Sequence, residues 1–349
     1  MFLSVHRPMR WIALTATLMA GMVPIGCARP QGVLFAPLDR PRVWPPPPDE
    51  PHIRLIGAIF GSGDLKAARS GREGFLAAVR GARPPIRFSR PHAVAVREPD
   101  ILAVADAGSG AVHVIDLARR THLRVSGWGS ERFAVPIGVA WAGDRLFVTD
   151  AKRGEVIELD ASGRFHQRFG MEELRRPVGI AYVSQRNQLY VVDGDAHRVV
   201  VFSLDGAIVR TIGEPGVQPG SFNYPTHISC AGDKLLVADS GNFRVQLLDL
   251  DGRCLRTIGR KGDGAGDLAL PKGVAFDRSG NIYVVDAHFE NIQMFNAKGQ
   301  LLMAFGEEGR DLGQFWLPAG LTIDGSNRIW VADSGNHRLQ IFTPIKVAS

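Results

Sequence analysis

Cysteine is nearly absent from this chain: three occur in 349 residues, at positions 27, 230 and 254. Three thiols cannot staple a chain of that length, so its stability has to come from a packed core. Aromatic residues are sparse at 8%, and no run of five like charges occurs. The basic tail or patch that binds polyanions is therefore not written here. A nucleophile elbow, a phosphate loop, a Cys-x-x-Cys pair and a His-Glu-x-x-His pair are missing too, which removes the strong local signs of hydrolase, nucleotide, redox and zinc-protease chemistry.

Turn formers are plentiful, with 40 Gly and 22 Pro, and this points to many short strands joined by turns and excludes a helical bundle. The 45% hydrophobic and 22% charged residues are an ordinary globular mixture. The formal charge of +6 drops to +4 if the leader carrying Arg7 and Arg10 is removed, and opposite charges alternate along the rest. No nucleic-acid partner is expected from such a mixed surface.

Residues 1–26 read as an export signal: a short basic start, an apolar run from Trp11 to Val23, then small residues. The apolar run is short for a bilayer span. Ile25-Gly26-Cys27 resembles a bacterial lipoprotein cleavage box, which implies acylation of Cys27; Pro24 stands where that box usually has Leu, and ordinary cleavage nearby or a retained anchor are the alternatives. Residues 27–50 are rich in proline and read as a stiff tether. Together these predict an exported protein of the cell envelope, held to the membrane by a lipid. Ala28 lacks the Asp of lipoproteins retained at an inner membrane, which favours an outer-membrane anchor facing the periplasm or the cell surface.

From residue 51 onward the chain repeats. An apolar run ends in Asp six times, at Asp106, Asp150, Asp193, Asp239, Asp286 and Asp333, at spacings of 43 to 47 residues. Each Asp follows a proline by 14 to 16 residues: Pro91, Pro136, Pro177, Pro225, Pro271 and Pro318. A third and a fourth alternating segment come after each Asp. Four short strands per unit is the pattern of a β-propeller blade, so the fold class is all-β, a six-bladed propeller of four-stranded blades over residues 51–349.

The pattern P-x-G-V-A, then an apolar run to Asp, then N-x-R-x-Q-x-F, resembles the NHL repeat; Val331 to Phe342, VADSGNHRLQIF, carries it most fully. The resemblance implies a propeller of the bacterial exported type, and for function a scaffold, an RNA binder or a zinc-dependent amidating lyase, since NHL propellers include all three. The last blade lacks room for a fourth strand. His52 to Gly57, HIRLIG, matches the fourth-strand endings at Gly213 and Gly259, so the N-terminal strand is expected to pair into the last blade and close the ring. In this scheme Cys230 and Cys254 lie on the innermost and outermost strands of one blade, about 14 Å apart at the usual strand spacing, and stay free.

The six Asp residues read as structural turn caps, three of them paired with Arg198, Arg244 and Arg338; Asp106, Asp150 and Asp286 lack that Arg and are expected to be freer for other partners. Function is expected on the face carrying the fourth-to-first and second-to-third strand loops. There His92, His227 and Lys272 stand at the channel entrance, and Arg153, His197, Phe243, His288, Phe289 and His337 on the turns. An insertion at about 61–90 is the most individual segment, with a helix expected over Leu65 to Val79 as a lid or a packed plug. The leading expectation is a monomeric binding scaffold for an envelope protein or a small ligand, without a cofactor, and enzymatic activity stays open. The alternative is a channel-mouth lyase or hydrolase. Likeness to the amidating lyase implies a divalent metal on His92 and His227, although no third inner histidine completes a zinc site.

Overall fold

The computed structural model describes residues 34–35, 38, 40–65 and 84–345. Cys27, the leader, the first part of the tether, and nearly all of the helix expected in the insertion lie outside these residues.

Strand runs such as QLYVVD and RLFVTD are apolar almost throughout, because both faces of each sheet are covered. Alternate residues face opposite neighbours: Val191 joins the cluster packed between blades two and three, while Tyr190 and Val192 join the one between blades three and four. Six such clusters lie between successive blades around the ring, the last joining blade six to blade one. The blades are four-stranded antiparallel sheets whose inner strands are Pro91–Arg97, Pro136–Ala142, Pro177–Val183, Pro225–Ala231, Pro271–Phe276 and Pro318–Ile323.

Ring closure follows the expectation from HIRLIG. Strand Ile53–Ile59 pairs antiparallel with Arg338–Pro344, with Leu55 opposite Phe342 and Ile59 opposite Leu339. The folded part also reaches back into the segment expected to be tether: Val43–Trp44 adds an outermost fifth strand, pairing Val43 with Arg54. The Trp44 side chain explains this, since its ring lies 5.7 Å from that of Phe342 and 6.0 Å from that of Phe305 and so buries a large apolar surface. Cys230 and Cys254 stand on inner and outer strands of blade four as free thiols, half-buried rather than fully enclosed; burial pushes the Cys230 thiol up to about 11.

Deleting residues 51–57 removes Ile53 and Leu55, 1% and 6% exposed, and bares the edge of the last blade. At about 1.5–3 kcal/mol for each buried aliphatic side chain, before the lost ladder is counted, this is a large part of a domain's net stability. The expected outcome is loss of the monomer peak in size-exclusion chromatography, with a lowered urea midpoint in any soluble fraction. An unchanged monomer with an unchanged midpoint would refute the closure.

Candidate functional site

The top face is organised by the six repeated carboxylates, and all six are fully buried. Each accepts backbone N–H bonds from the loop that leads into its own inner strand. Asp106 takes the amides of Ser89 and Arg90, both at 2.7 Å; Asp150 those of Ala134 and Val135, at 2.7 and 3.0 Å; Asp286 those of Ala269 and Leu270, at 2.7 and 3.1 Å. These three carboxylates are therefore not free for other partners, contrary to the expectation drawn from their missing Arg. Backbone amides replace the guanidinium, and the turn amides of His288 and Phe289 also reach Asp286. Where the Arg is present it adds to the same arrangement: Arg244 Nε donates to Asp239 at 2.8 Å and Arg338 Nε to Asp333 at 2.8 Å, with Gln246 and Gln340 completing each set at 3.0 Å.

Several turn residues named from the sequence are engaged between blades. His197 and His337 adopt left-handed backbone, φ 55° and 57°, at equivalent turn positions, as does Phe243 at 56°. The Tyr224 amide donates to His197 Nδ1 at 3.0 Å, and the His337 Nδ1 bonds the carbonyl of Ser89. Both imidazoles thus hold the incoming loop of the next blade. Glu290, at the same turn position in blade five, accepts the Leu317 amide at 3.1 Å. The Lys261 ammonium lies 5.1 Å over the Phe243 ring, and Arg153 is committed to Glu155 and Glu131. His288 remains exposed, with its ring against the half-buried Phe289 at 5.5 Å.

His92, His227 and Lys272 do come together. A small cavity of about 70 Å³ at the top of the channel is lined by His92, Ile137, Val178, Thr226, Lys272 and Ala319, the residues directly following the six prolines, together with His227 and Arg176. His227 also lines the wider lower channel of about 250 Å³, so it forms the partition between the two. Its place explains the departure from the repeat. The equivalent Gly138, Gly179, Gly273 and Gly320 lie so close to the neighbouring blade that a Cβ would meet it at 2.2 to 2.8 Å, whereas blade four carries an imidazole there.

Arg176 lines the same cavity and is not among the residues named from the sequence. The signal was the residue directly before each proline, where Arg90, Val135, Arg176, Tyr224, Leu270 and Leu317 form a rim; Tyr224, Leu270 and Leu317 are exposed apolar groups on blades four to six. Burial, then Lys272 and His227, hold the His92 imidazole down to about 3, against a weaker opposing effect of the Ile137 backbone; burial holds His227 down to about 4. Burial and then Arg176 lower the Lys272 ammonium. A larger cavity of about 440 Å³ lies by the closing strand, but its carboxylate, Asp277, is occupied by the amides of Ser279 and Asn281, both at 2.8 Å.

The NHL repeat model matches residues 174–202 and 315–342, the first three strands of blades three and six. The chain is a six-bladed NHL-repeat propeller. No curated protein matches it in sequence. Among solved structures, this propeller is similar to virginiamycin B lyase from Staphylococcus aureus, with 14% identity, a TM-score of 0.55, and coverage of 74% of this chain and 96% of that one. It is also similar to an auxiliary nutrient binding protein from Bacteroides thetaiotaomicron, with 14% identity, a TM-score of 0.60, and coverage of 74% and 70%. A gluconolactonase from Xanthomonas campestris shows 16% identity, a TM-score of 0.57, and coverage of 74% and 87%. At these identities the likeness is one of fold.

The depressed imidazoles fix a pH dependence. Above about pH 6.5 His92, His227 and the similarly depressed His122 are neutral in folded and unfolded chains alike and contribute nothing. As pH falls through 6.5 the unfolded chain takes up these protons and the folded one does not, so stability declines, for His227 until about pH 4 and for His92 and His122 until about pH 3. The urea midpoint should fall steadily between pH 7 and 4.5, and less steeply in a His92→Gln, His227→Gln double variant. Identical slopes for the two proteins would contradict this assignment.

Proposed function

We propose that this propeller is a binding module whose ligand site is the channel mouth on its top face, and that it works as an exported, lipid-anchored envelope protein. The observation that carries the reading is the mouth itself: the repeat's departures at His92, His227 and Lys272 converge on one cavity, while the repeated carboxylates are used up in holding loops. Polar groups placed at the end of a channel, with exposed Tyr224, Leu270 and Leu317 on the rim, are what a small-ligand site requires. Binding propellers and lyases share this architecture among the structural neighbours, which accords with either a binding or an enzymatic use of the mouth.

Binding fits the mouth better than catalysis. A general base works best with its pKa near the operating pH, and imidazoles held at about 3 and about 4 are weak bases at neutrality. The metal reading is also disfavoured by the mouth's charge, since Lys272 and Arg176 repel a divalent cation. Among the described residues no group of three or more His, Cys, Asp or Glu could hold a metal.

Ala319→Leu fills the mouth with an aliphatic side chain of the kind blades two and three already carry there, and it leaves the polar residues in place. In a thermal-shift screen of small metabolites, a ligand of the wild-type chain should stabilise it by about 2.7 kcal/mol at a hundredfold excess over Kd, and should lose that effect with Ala319→Leu. Equal stabilisation of both proteins would place the site elsewhere. For the anchor, Cys27→Ser should move the full-length protein from the membrane fraction to the soluble one; retention in the membrane would refute lipidation.

A further inference from the structure

The mouth's charge is unbalanced, and this identifies the class of ligand. No Asp or Glu lines the cavity. Asp195 stands at the rim with its side chain about half exposed and reaches Arg176 at 3.5 Å, too weak a pair to neutralise the interior, while Asp193 is held by the amides of Arg175 and Arg176 and Glu290 by that of Leu317. Lys272 is half-buried on its strand, and its ammonium makes no hydrogen bond or ion pair among the described residues. His92 Nδ1 is sealed from solvent and also lacks a hydrogen-bond partner.

Each of these features costs stability: a partly desolvated cation without a counter-charge and a buried ring nitrogen without a partner are both expensive. Elsewhere the same propeller pairs its buried charges with care, as Arg338 with Asp333 and Arg244 with Asp239 show. The mouth differs from these two sites in holding a partly buried cation with no acid in the lining around it. We propose that it is an oxyanion site, taking the carboxylate or phosphate group of a small ligand, with Lys272 supplying the charge and His92 and His227 the hydrogen bonds. This rests on the channel mouth being the binding site.

The dimensions agree. A cavity of about 70 Å³ corresponds to roughly two water volumes at ~30 Å³ each, room for one such group but not for a whole metabolite, whose remainder would lie against Tyr224, Leu270 and Leu317. An anion would restore protons to the depressed imidazoles, because it adds the opposite charge that His92 now lacks beside Lys272, His227 and Arg176. Binding is therefore coupled to proton uptake.

Calorimetric titration of the full chain with sulfate, inorganic phosphate and succinate tests the proposal. Saturable one-to-one binding is expected for at least one of them, weakened tenfold or more by Lys272→Met, and the stronger of phosphate and succinate names the group preferred. Sulfate keeps its charge across the range, and its affinity should rise at least threefold from pH 7.5 to 5.5. In the wild-type chain the ¹⁵N resonances of the His92 and His227 rings should move toward the protonated form at saturation, a readout independent of whether the variant folds. No saturable binding of any of the three, or equal affinity in Lys272→Met, would overturn the proposal. If a neutral ligand binds and is lost with Ala319→Leu while the three anions fail, the channel-mouth reading stands and the oxyanion assignment falls.

Discussion

The geometry of this propeller depends on one interaction repeated six times: a buried carboxylate at the end of each second strand holds the backbone amides of the loop entering the first. A loop over a sheet end carries N–H groups that no ladder satisfies, and an acid at that point answers them with charge-assisted bonds. The carboxylate thereby fixes where each inner strand begins. Because all six strands start at the same height, the residues following their prolines form a ring, and the shape of the channel mouth follows.

Blades differ in how they support the acid. Blades four and six use one set, an Asn three residues on, an Arg five on and a Gln seven on, all directed at a single carboxylate oxygen. Blade one replaces the Gln with His113, whose Nε2 lies 3.3 Å from Asp106 and whose Nδ1 meets His122 at 2.8 Å. Blade two puts Glu155 in the place of the Arg and pairs it with Arg153 and Arg168. The backbone bonds to Asp are common to all, which shows which part of the motif is indispensable and which parts vary with the neighbours.

The architecture was legible in the sequence because it repeats. A period of 43 to 47 residues, with Pro and Asp at constant separation, locates the blades, and the missing last strand with HIRLIG upstream locates the closure. The outer strand at Val43–Trp44 was not legible, since proline-rich flanks hide a strand whose formation is decided by packing of one indole. The site was legible only in part. His92 and His227 stood out as departures from the repeat, whereas Arg176 lies at a position that varies from blade to blade. The roles of His197 and His337 depend on the loop of the following blade, a contact that no single repeat displays.

On the proposed reading, fold and binding are carried by different residues of the same face: buried acids satisfy the loops of the ring, while the mouth keeps a cation, Lys272, for a ligand. The most direct measurement is the unfolding free energy of Lys272→Met against the wild-type chain at pH 7.5 without added anions. A side chain kept for binding at the expense of the fold predicts a gain of about 1 kcal/mol when its charge is removed. A loss of similar size would show that Lys272 is held by partners within the fold, and would contradict the account of the mouth as a site waiting for a ligand.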